Sequence, residues 1–149
     1  MKIKKVLIGL IILSALSWTS KDEKKQNGAS DVIIKSWMLQ GFDSKEAEAN
    51  MSEKEKTEFK KVVNEMVTMA KTKTIYAFDK NGKITTTTIA NNGGWKKEQG
   101  TWSIPGDGKM LSITINGIED KLKIIRLTDN NLDLYSAEVK MTMKFVSKK

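Results

Sequence analysis

The sequence has no cysteine and no histidine, and it contains one proline and one arginine. The chain therefore lacks the commonest general base, the thiol nucleophile and the usual zinc ligands. It also has no glycine-rich phosphate loop between a strand and a helix. The sequence predicts no catalytic residues, no metal site and no cofactor, and we expect a protein that is not an enzyme.

Nearly all of the positive charge comes from lysine. The 149 residues carry a formal net charge of +8, and Arg126 is the single arginine. Proteins that read nucleic acids normally use arginine for bidentate contacts to bases and phosphates. We therefore expect no nucleic-acid partner, and we interpret the lysines as a solvated surface that anionic envelope polymers or lipid head groups would attract.

The longest apolar run lies at the N-terminus. Residues 1–5 are basic and aliphatic, residues 6–16 are apolar, and residues 15–17 offer small side chains for a signal peptidase. A membrane-spanning helix needs roughly 20 apolar residues, and a core helix would have a polar face. The pattern predicts a signal peptide over residues 1–17, and hence a secreted or periplasmic protein of the cell envelope. Its removal takes three lysines, so the net charge falls from +8 to +5.

Residues 18–30 follow the predicted signal peptide and are polar and lysine-rich, so we expect them to form a flexible linker. Leu13-Ser14-Ala15 followed by cysteine would be a lipoprotein processing box, but residue 16 is leucine. A leucine cannot be acylated, so we expect release rather than lipid anchoring, unless the natural sequence has cysteine there. Residues 31–149 remain for one domain, and roughly 120 residues can build a core that needs no disulfide.

Turn residues recur every 8 to 14 or so residues beyond Lys71, as in Asn81-Gly82, Gly93-Gly94 and Asn116-Gly117. This spacing is typical of a meandering antiparallel sheet. It predicts eight strands, over residues 31–42, 73–80, 83–90, 95–104, 109–116, 119–128, 132–136 and 139–146. The expected fold is mostly β, an eight-stranded antiparallel up-and-down barrel. Two alternatives stay open: a curved sheet wrapped around the helix without closure, and one long bent strand in place of the last two.

One helix is predicted between the first and second strands. Ser52-Glu53-Lys54-Glu55 forms a capping box, in which Ser52 and Glu55 satisfy each other's backbone N–H groups. One apolar stripe follows at helical spacing, formed by Phe59, Val62, Val63, Met66, Met69 and Ala70. We expect this stripe to pack over one end or side of the barrel. The alternative is a lid over a cavity mouth, for which adaptable methionines would be suited.

The turns also predict a register. A two-residue turn at Asn81-Gly82 would place Phe78 opposite Thr85 and Tyr76 opposite Thr87. The later turns would place Leu111 opposite both Trp102 and Leu122. Because side chains alternate between the two faces of a strand, one face should line the lumen. The candidate lumen residues are Tyr76, Phe78, Thr85, Thr87, Trp102, Ile113, Ile124, Arg126, Leu134, Met141, Met143 and Phe145.

Several segments together resemble the bacterial lipocalin-like domains of exported and lipid-anchored envelope proteins. They are IIKSW at 33–37, GTWSI at 100–104, KMLSI at 109–113, IIRLTD at 124–129 and LDL at 132–134. The resemblance covers roughly residues 31–146 and implies an up-and-down barrel that binds small molecules. Lipocalins proper open with Gly-x-Trp at the barrel base, whereas here Ser36 precedes Trp37 and the glycine is missing.

Two functions are consistent with these features. The first is a monomeric container that holds a small apolar or amphipathic molecule, with Met141, Met143 and the threonines of 85–88 leaving room inside. The second is a filled barrel that acts through its surface as an envelope interaction or inhibitor module. Trp95 lies on the opposite parity from Trp102, and it would then be an exposed aromatic anchor or would pack under a loop.

Two polar features have competing interpretations. Arg126 shares the parity of Leu122 and Ile124, so it could face the mouth and bind the carboxylate or phosphate of a ligand. Alternatively it forms a rim ion pair with Asp107 or Asp129. Residues 129–133 have the first ligand spacings of a calcium loop, but Leu134 replaces the required glycine, so we interpret them as a turn between two strands.

Overall fold

The computed structural model describes residues 28–71, 73–90 and 92–149. The predicted signal peptide and the linker up to residue 27 lie outside the described residues. The elements run in the order α1 (Gly28–Ile33), β1 (Ser36–Asp43), α2 (Lys45–Glu48), α3 (Glu53–Ala70), β2 (Ile75–Phe78), β3 (Lys83–Ile89), β4 (Trp95–Ser103), β5 (Met110–Ile115), β6 (Ile118–Leu127), β7 (Asn131–Ser136) and β8 (Met141–Ser147).

The eight strands form a closed barrel. Each strand pairs antiparallel with the next, and β8 pairs with β1 to complete the ring. The predicted fold class is confirmed, and the open sheet wrapped around a helix is wrong. The single bent strand is also wrong, because β7 and β8 pair with each other across a turn over residues 137–140.

The barrel has two different ends, which we call the base and the mouth. Strands β1, β3, β5 and β7 run from base to mouth, and the other four run back. The base carries the β2–β3, β4–β5 and β6–β7 turns together with α1. The mouth carries the β3–β4, β5–β6 and β7–β8 turns and the long connection that contains α2 and α3.

Helix α1 closes the base. Ile33 is buried, and its carbonyl accepts a hydrogen bond of 2.9 Å from the indole Nε1 of the buried Trp37. Residues 28–30 were predicted as linker and residues 31–33 as the start of the first strand. Both predictions are wrong, because residues 28–33 form a helix. A short apolar run such as Val32-Ile33-Ile34 does not distinguish a strand from a buried helical turn. The base closes around Trp37 without the glycine of Gly-x-Trp.

Helix α3 begins with the predicted capping box. The Ser52 hydroxyl accepts the Glu55 N–H, and the Glu55 carboxylate accepts the Ser52 N–H at 2.9 Å. Phe59 and Val63 are buried against Met141 of β8, so the helix packs over the barrel near the mouth. Met69, predicted on the packed stripe, is 54% exposed and points away from the barrel.

The register around β5 and β6 is as predicted, with Leu111 opposite Leu122. Trp102 pairs with Ile113 rather than Leu111, a shift of two residues that keeps the same face inward. The β2–β3 register differs by one residue, because Phe78 pairs with Ile84 and Tyr76 with Thr86. A one-residue shift exchanges the two faces of a strand, so the prediction for β3 is wrong.

The β2–β3 turn explains this shift. The Asp79 carboxylate accepts the backbone N–H groups of Asn81 and Lys83, both at 2.8 Å. Asp79 also donates its own N–H to the Lys83 carbonyl. The loop therefore has three residues, ending with Gly82 at a positive φ of 73°, where glycine is favoured. A three-residue loop shifts β3 by one position relative to the two-residue loop expected from Asn-Gly alone.

Candidate ligand-binding site

The base half of the barrel is filled with side chains. The Phe78 and Trp102 rings meet edge to face with centroids 5.5 Å apart, and the Tyr76 and Phe145 centroids are 5.0 Å apart. Trp37, Phe145 and several aliphatic residues are almost completely buried in the same core. These ring contacts and buried side chains make the base half of the lumen a packed core.

The mouth half encloses a cavity of about 50 Å³, which we call the mouth cavity. Its walls combine polar and apolar side chains from β2 to β8. They are Tyr76, Thr86, Thr88, Glu98, Ile113, Ile115, Asp120, Leu122, Ser136, Glu138, Val139 and Met143. A cavity needs roughly 10–15 Å³ of such space to hold one water molecule, so this cavity has room for a small polar head group.

The predicted lumen residues divide into four groups. Tyr76, Ile113 and Met143 line the mouth cavity. Met141 is buried against α3. Five others belong to the core cluster that fills the barrel, namely Phe78, Trp102, Ile124, Leu134 and Phe145. The remaining three, which are Thr85, Thr87 and Arg126, do not face the lumen.

Thr85 and Thr87 lie on the opposite face of β3 from the one predicted. The inward positions are Ile84, Thr86 and Thr88, which are all buried, whereas Thr85 and Thr87 are half-buried on the other face. The shorter loop assumed for Asn81-Gly82 is the cause of this error. The expectation of small hydroxyl side chains in the lumen survives at Thr86 and Thr88.

Arg126 lies on the outer face of the barrel because of a β-bulge. Ile124 pairs with Leu134 while Arg126 pairs with Asp133, so Ile125 is the extra residue. The guanidinium Nε is 3.0 Å from Asp133 Oδ2, and Nη2 donates to Oδ1 at 3.3 Å. Arg126 therefore does not face the lumen as predicted, and its ion-pair partner is Asp133 rather than Asp107 or Asp129. Arg126 forms a bidentate ion pair with a neighbouring strand.

Asp120 is a cavity residue that the sequence prediction missed. It pairs with the buried Ile113 and lies two residues before the buried Leu122, so it shares the inward face of β6. The Asp120 side chain is exposed at the rim of the cavity, and partial desolvation of its carboxyl raises the pKa, with the charge of Glu138 raising it further. The alternation of β6 could have located this residue, had the inward set been extended from Leu122 towards the mouth.

Glu98 is a second inward carboxylate, on β4 opposite Thr86. Its Oε1 lies 2.6 Å from the Lys96 ammonium and accepts a hydrogen bond of 2.6 Å from the Asn116 side chain. Its charge is therefore neutralised locally, and the Lys96 ammonium at this wall is already engaged.

Tyr76 and Thr88 contribute hydroxyl groups to the cavity wall. Burial raises the pKa of Tyr76 to about 12, with a smaller contribution from the charge of Asp120, so the phenol stays protonated at neutral pH. Thr88 is only 4% exposed, and its Oγ1 has no hydrogen-bond partner among the described residues. Buried polar atoms are nearly always hydrogen-bonded, so Thr88 marks a place where a polar atom of another molecule would be stabilised.

Two kinds of feature are absent from the described ranges. In residues 28–71, 73–90 and 92–149, no three acidic, histidine or cysteine side chains are arranged to hold a metal ion. In the same ranges, no helix has the length and apolar character needed to cross a bilayer.

Comparison with known families agrees with this architecture. A family model described as a lipocalin-like domain matches residues 33–134, which is more than half of the chain. The chain belongs to the lipocalin-like domain family. The matched region contains Trp37 at the base and ends at Leu134 in β7, so it includes most strands of this lipocalin-like barrel. The lipocalin-like fold is generally that of a ligand-binding protein.

Two solved structures share the lipocalin-like fold. A lipocalin-like protein from Bacteroides uniformis is 16% identical with a TM-score of 0.53, and the alignment covers 78% of this chain and 99% of that one. An uncharacterized protein from Bacteroides eggerthii is 12% identical with a TM-score of 0.50, covering 77% and 98%. At these identities the likeness concerns the fold alone. No match was found among curated protein sequences.

Proposed function

We propose that this lipocalin-like protein is an exported binding protein, not an enzyme, that holds one small amphipathic molecule at the mouth of its barrel. The observation that carries the proposal is the asymmetry of the lumen. The base half is sealed by α1 and filled by aromatic side chains, whereas the mouth half keeps a part-polar cavity. Among the described residues, this asymmetry favours entry of a ligand from the mouth.

The cavity volume limits what is enclosed. Sites that bury a whole drug-sized ligand measure roughly 300–1,000 Å³, whereas this cavity measures about 50 Å³. Only the head of a ligand would be enclosed, with its tail outside against the half-buried Ile115 and Val139. This narrows the expectation from an apolar molecule inside the barrel to an amphipathic molecule with an inserted polar head.

The test is a titration of the purified protein with n-hexanol, followed by NMR of methyl groups. Saturable shifts are expected at the cavity methyls of Thr88, Ile113 and Met143, and not at Leu132 in the base. Met143→Trp should fill the cavity and weaken binding at least about tenfold, since it removes the space for the head group. The matched control is Met69→Trp on the exposed face of α3, which should leave the affinity unchanged. Shifts that do not saturate, or that include Leu132 equally, would contradict the proposal.

Export is part of the proposal and rests on the pattern of residues 1–17. The full-length chain expressed in a bacterium is expected outside the cytoplasm, with an N-terminus near Trp18 and no lipid. A Leu16→Cys variant should become acylated and sediment with membranes. Mass spectrometry of both chains measures this, and an intact wild-type N-terminus in the cytosol would refute it.

A second candidate function, surface attachment, is favoured by one observation. Trp95 is 44% exposed at the mouth, and the Lys73 ammonium lies 5.6 Å from the centroid of its ring. An exposed tryptophan beside lysines is suited to an anionic interface. If the barrel acts through this surface, Trp95→Ala should weaken binding to vesicles that contain phosphatidylglycerol about fivefold, because the amphipathic indole ring is lost from the membrane interface. Ile125→Ala, which truncates another exposed side chain, is the control in the same sedimentation assay. Equal binding by all three proteins would exclude this function.

A further inference from the structure

The mouth cavity carries negative charge that the described residues do not neutralise. Asp120 and Glu138 both line its solvent-exposed rim, and neither has an ion-pair partner among residues 28–71, 73–90 and 92–149. The Lys96 ammonium on the facing strand is held at 2.6 Å by Glu98. Glu98 and Lys96 on β4 neutralise each other, whereas Glu138 in the β7–β8 turn adds a negative charge. The net charge around Asp120 is therefore negative.

The unpartnered hydroxyl of Thr88 lies in the wall of the same cavity. Its side chain is almost completely buried, and Oγ1 is the one buried side-chain polar atom without a hydrogen bond in the described residues. Tyr76 contributes a second hydroxyl to this wall. The cavity thus presents the carboxylates of Asp120 and Glu138 and the hydroxyl oxygens of Thr88 and Tyr76, which can all accept hydrogen bonds.

A primary ammonium group matches this set. It has three N–H donors and no acceptor, and its charge is opposite to that of the cavity. We propose that the polar head inserted at the mouth is a primary ammonium, so that the ligand is a small aliphatic amine bound by Asp120, Thr88 and Tyr76. This inference rests on the proposed function, because it specifies the head group for the same cavity.

The size of the cavity agrees with this head group. About 50 Å³ accommodates an ammonium and the carbon that bears it, while the aliphatic remainder lies at the mouth. An anionic head would be repelled by Asp120 and Glu138. A neutral hydroxyl could occupy the space, but it would leave the carboxylate without a counter-charge.

The experiment compares three ligands with the same six-carbon chain. Hexylammonium, n-hexanol and hexanoate are titrated into the purified protein at pH 7 and followed by the cavity methyl signals. Hexylammonium should bind about tenfold more tightly than hexanol, since charge-assisted hydrogen bonds are roughly twice as strong as neutral ones, and hexanoate should not bind. If hexanol binds as tightly as hexylammonium, the ammonium inference is overturned and the proposed function stands. If none of the three binds, both are overturned.

Two variants test whether the preference for hexylammonium over hexanol arises in the cavity. Asp120→Asn should lower the hexylammonium affinity about tenfold and leave that of hexanol unchanged. Its control is Asp31→Asn in α1, the same chemical change at the base, which should change neither affinity. Thr88→Val, which has the same shape without the hydroxyl, should weaken hexylammonium severalfold. An unchanged ratio of the two affinities in both cavity variants would overturn the inference, and Thr88→Val remains decisive if Asp120→Asn does not fold.

Thermal stability provides an independent readout. Partial desolvation raises the pKa of Asp120 in the folded protein above its value in the unfolded chain. The folded state therefore loses stability as the pH rises from the unfolded-state pKa through the folded-state pKa. At pH 7 the ionised carboxylate is therefore a cost, so Asp120→Asn should raise the Tm while it weakens amine binding. A gain in stability together with a loss of affinity is typical when a residue that serves binding is replaced. A lowered Tm with an unchanged affinity ratio would make Asp120 a structural residue and overturn the inference.

Discussion

Replacing Gly100 with alanine is expected to destabilise the barrel by about 3 kcal/mol or more. Gly100 lies in β4 and pairs with Ile115 of β5. A Cβ at this position would lie 2.1 Å from the carbonyl oxygen of Thr114 and 2.8 Å from Cγ1 of Ile115. The first of these atoms is backbone, so relief of the clash requires separation of two paired strands. Glycine within a strand commonly marks such a close approach.

Equilibrium unfolding in urea, followed by far-UV circular dichroism, measures this loss. Gly41→Ala is the matched control, because Gly41 also lies in a strand but a Cβ added there would have no other atom within 4 Å. Its unfolding free energy should change by less than about 1 kcal/mol, since the substitution mainly restricts the unfolded chain. Similar stability of the two variants would mean that β4 and β5 lie further apart at Gly100 than the structure places them.

The strands and their closure could be predicted because both depend on local chemistry. Asn116-Gly117 forms a tight turn with both residues at positive φ, 53° and 78°, and it sets Leu111 opposite Leu122 as expected. The capping box at Ser52 likewise involves residues only three positions apart. Where all the residues that form a turn or a cap lie within a few positions of each other, the local sequence is sufficient to predict it.

The face of β3 could not be derived from the Asn-Gly pair alone. Asn81-Gly82 is compatible with a two-residue loop, but the Asp79 side chain stabilises a three-residue loop by accepting two N–H groups. A prediction that had weighed Asp79 as a turn residue would have placed Thr86 and Thr88 inside. The contact of Asp79 with the turn is therefore local, although it determines which side chains of β3 face the lumen along the whole strand.

The bulge at Ile125 has a different origin. Residues 124, 125 and 127 are all aliphatic, so the alternation of β6 does not indicate where the extra residue falls. The pairing with β7 decides it, because Leu132 and Leu134 must face the core while Asp133 is paired with Arg126 outside. A contact between two strands determines this feature, and neither strand alone contains the information.

The cavity carboxylates were missed because an apolar lumen was expected. Leu122 and Asp120 share one face of β6, and Trp102 and Glu98 share one face of β4. Towards the mouth, the predicted inward sets of β4 and β6 stopped at an apolar residue. The sequence did contain these positions by parity, whereas the neutralisation of Glu98 by Lys96 and the lack of an ion-pair partner for Asp120 among the described residues are visible only in three dimensions.

Replacement of Trp37 with alanine is expected to lower the unfolding free energy by about 3–5 kcal/mol, the usual range for a buried tryptophan. Trp37 has no exposed surface, and its indole N–H satisfies the Ile33 carbonyl. The variant loses this packing at the base and also leaves a buried acceptor without its donor. Typical domains are stable by only about 5–15 kcal/mol, so the loss is a large fraction of the total.

The control for this variant is Trp95→Ala, the same truncation at the mouth. Trp95 is 44% exposed and its ring lies against the Lys73 ammonium, so its removal should cost less than about 1 kcal/mol. Hydrogen exchange adds a local test, because α1 is held to the barrel through Trp37, and the amides of residues 31–35 should lose protection in Trp37→Ala before the strands do. Equal losses of stability in the two tryptophan variants would show that α1 does not seal the base. The lumen would then be open at both ends, and the argument that a ligand enters from the mouth would fail with it.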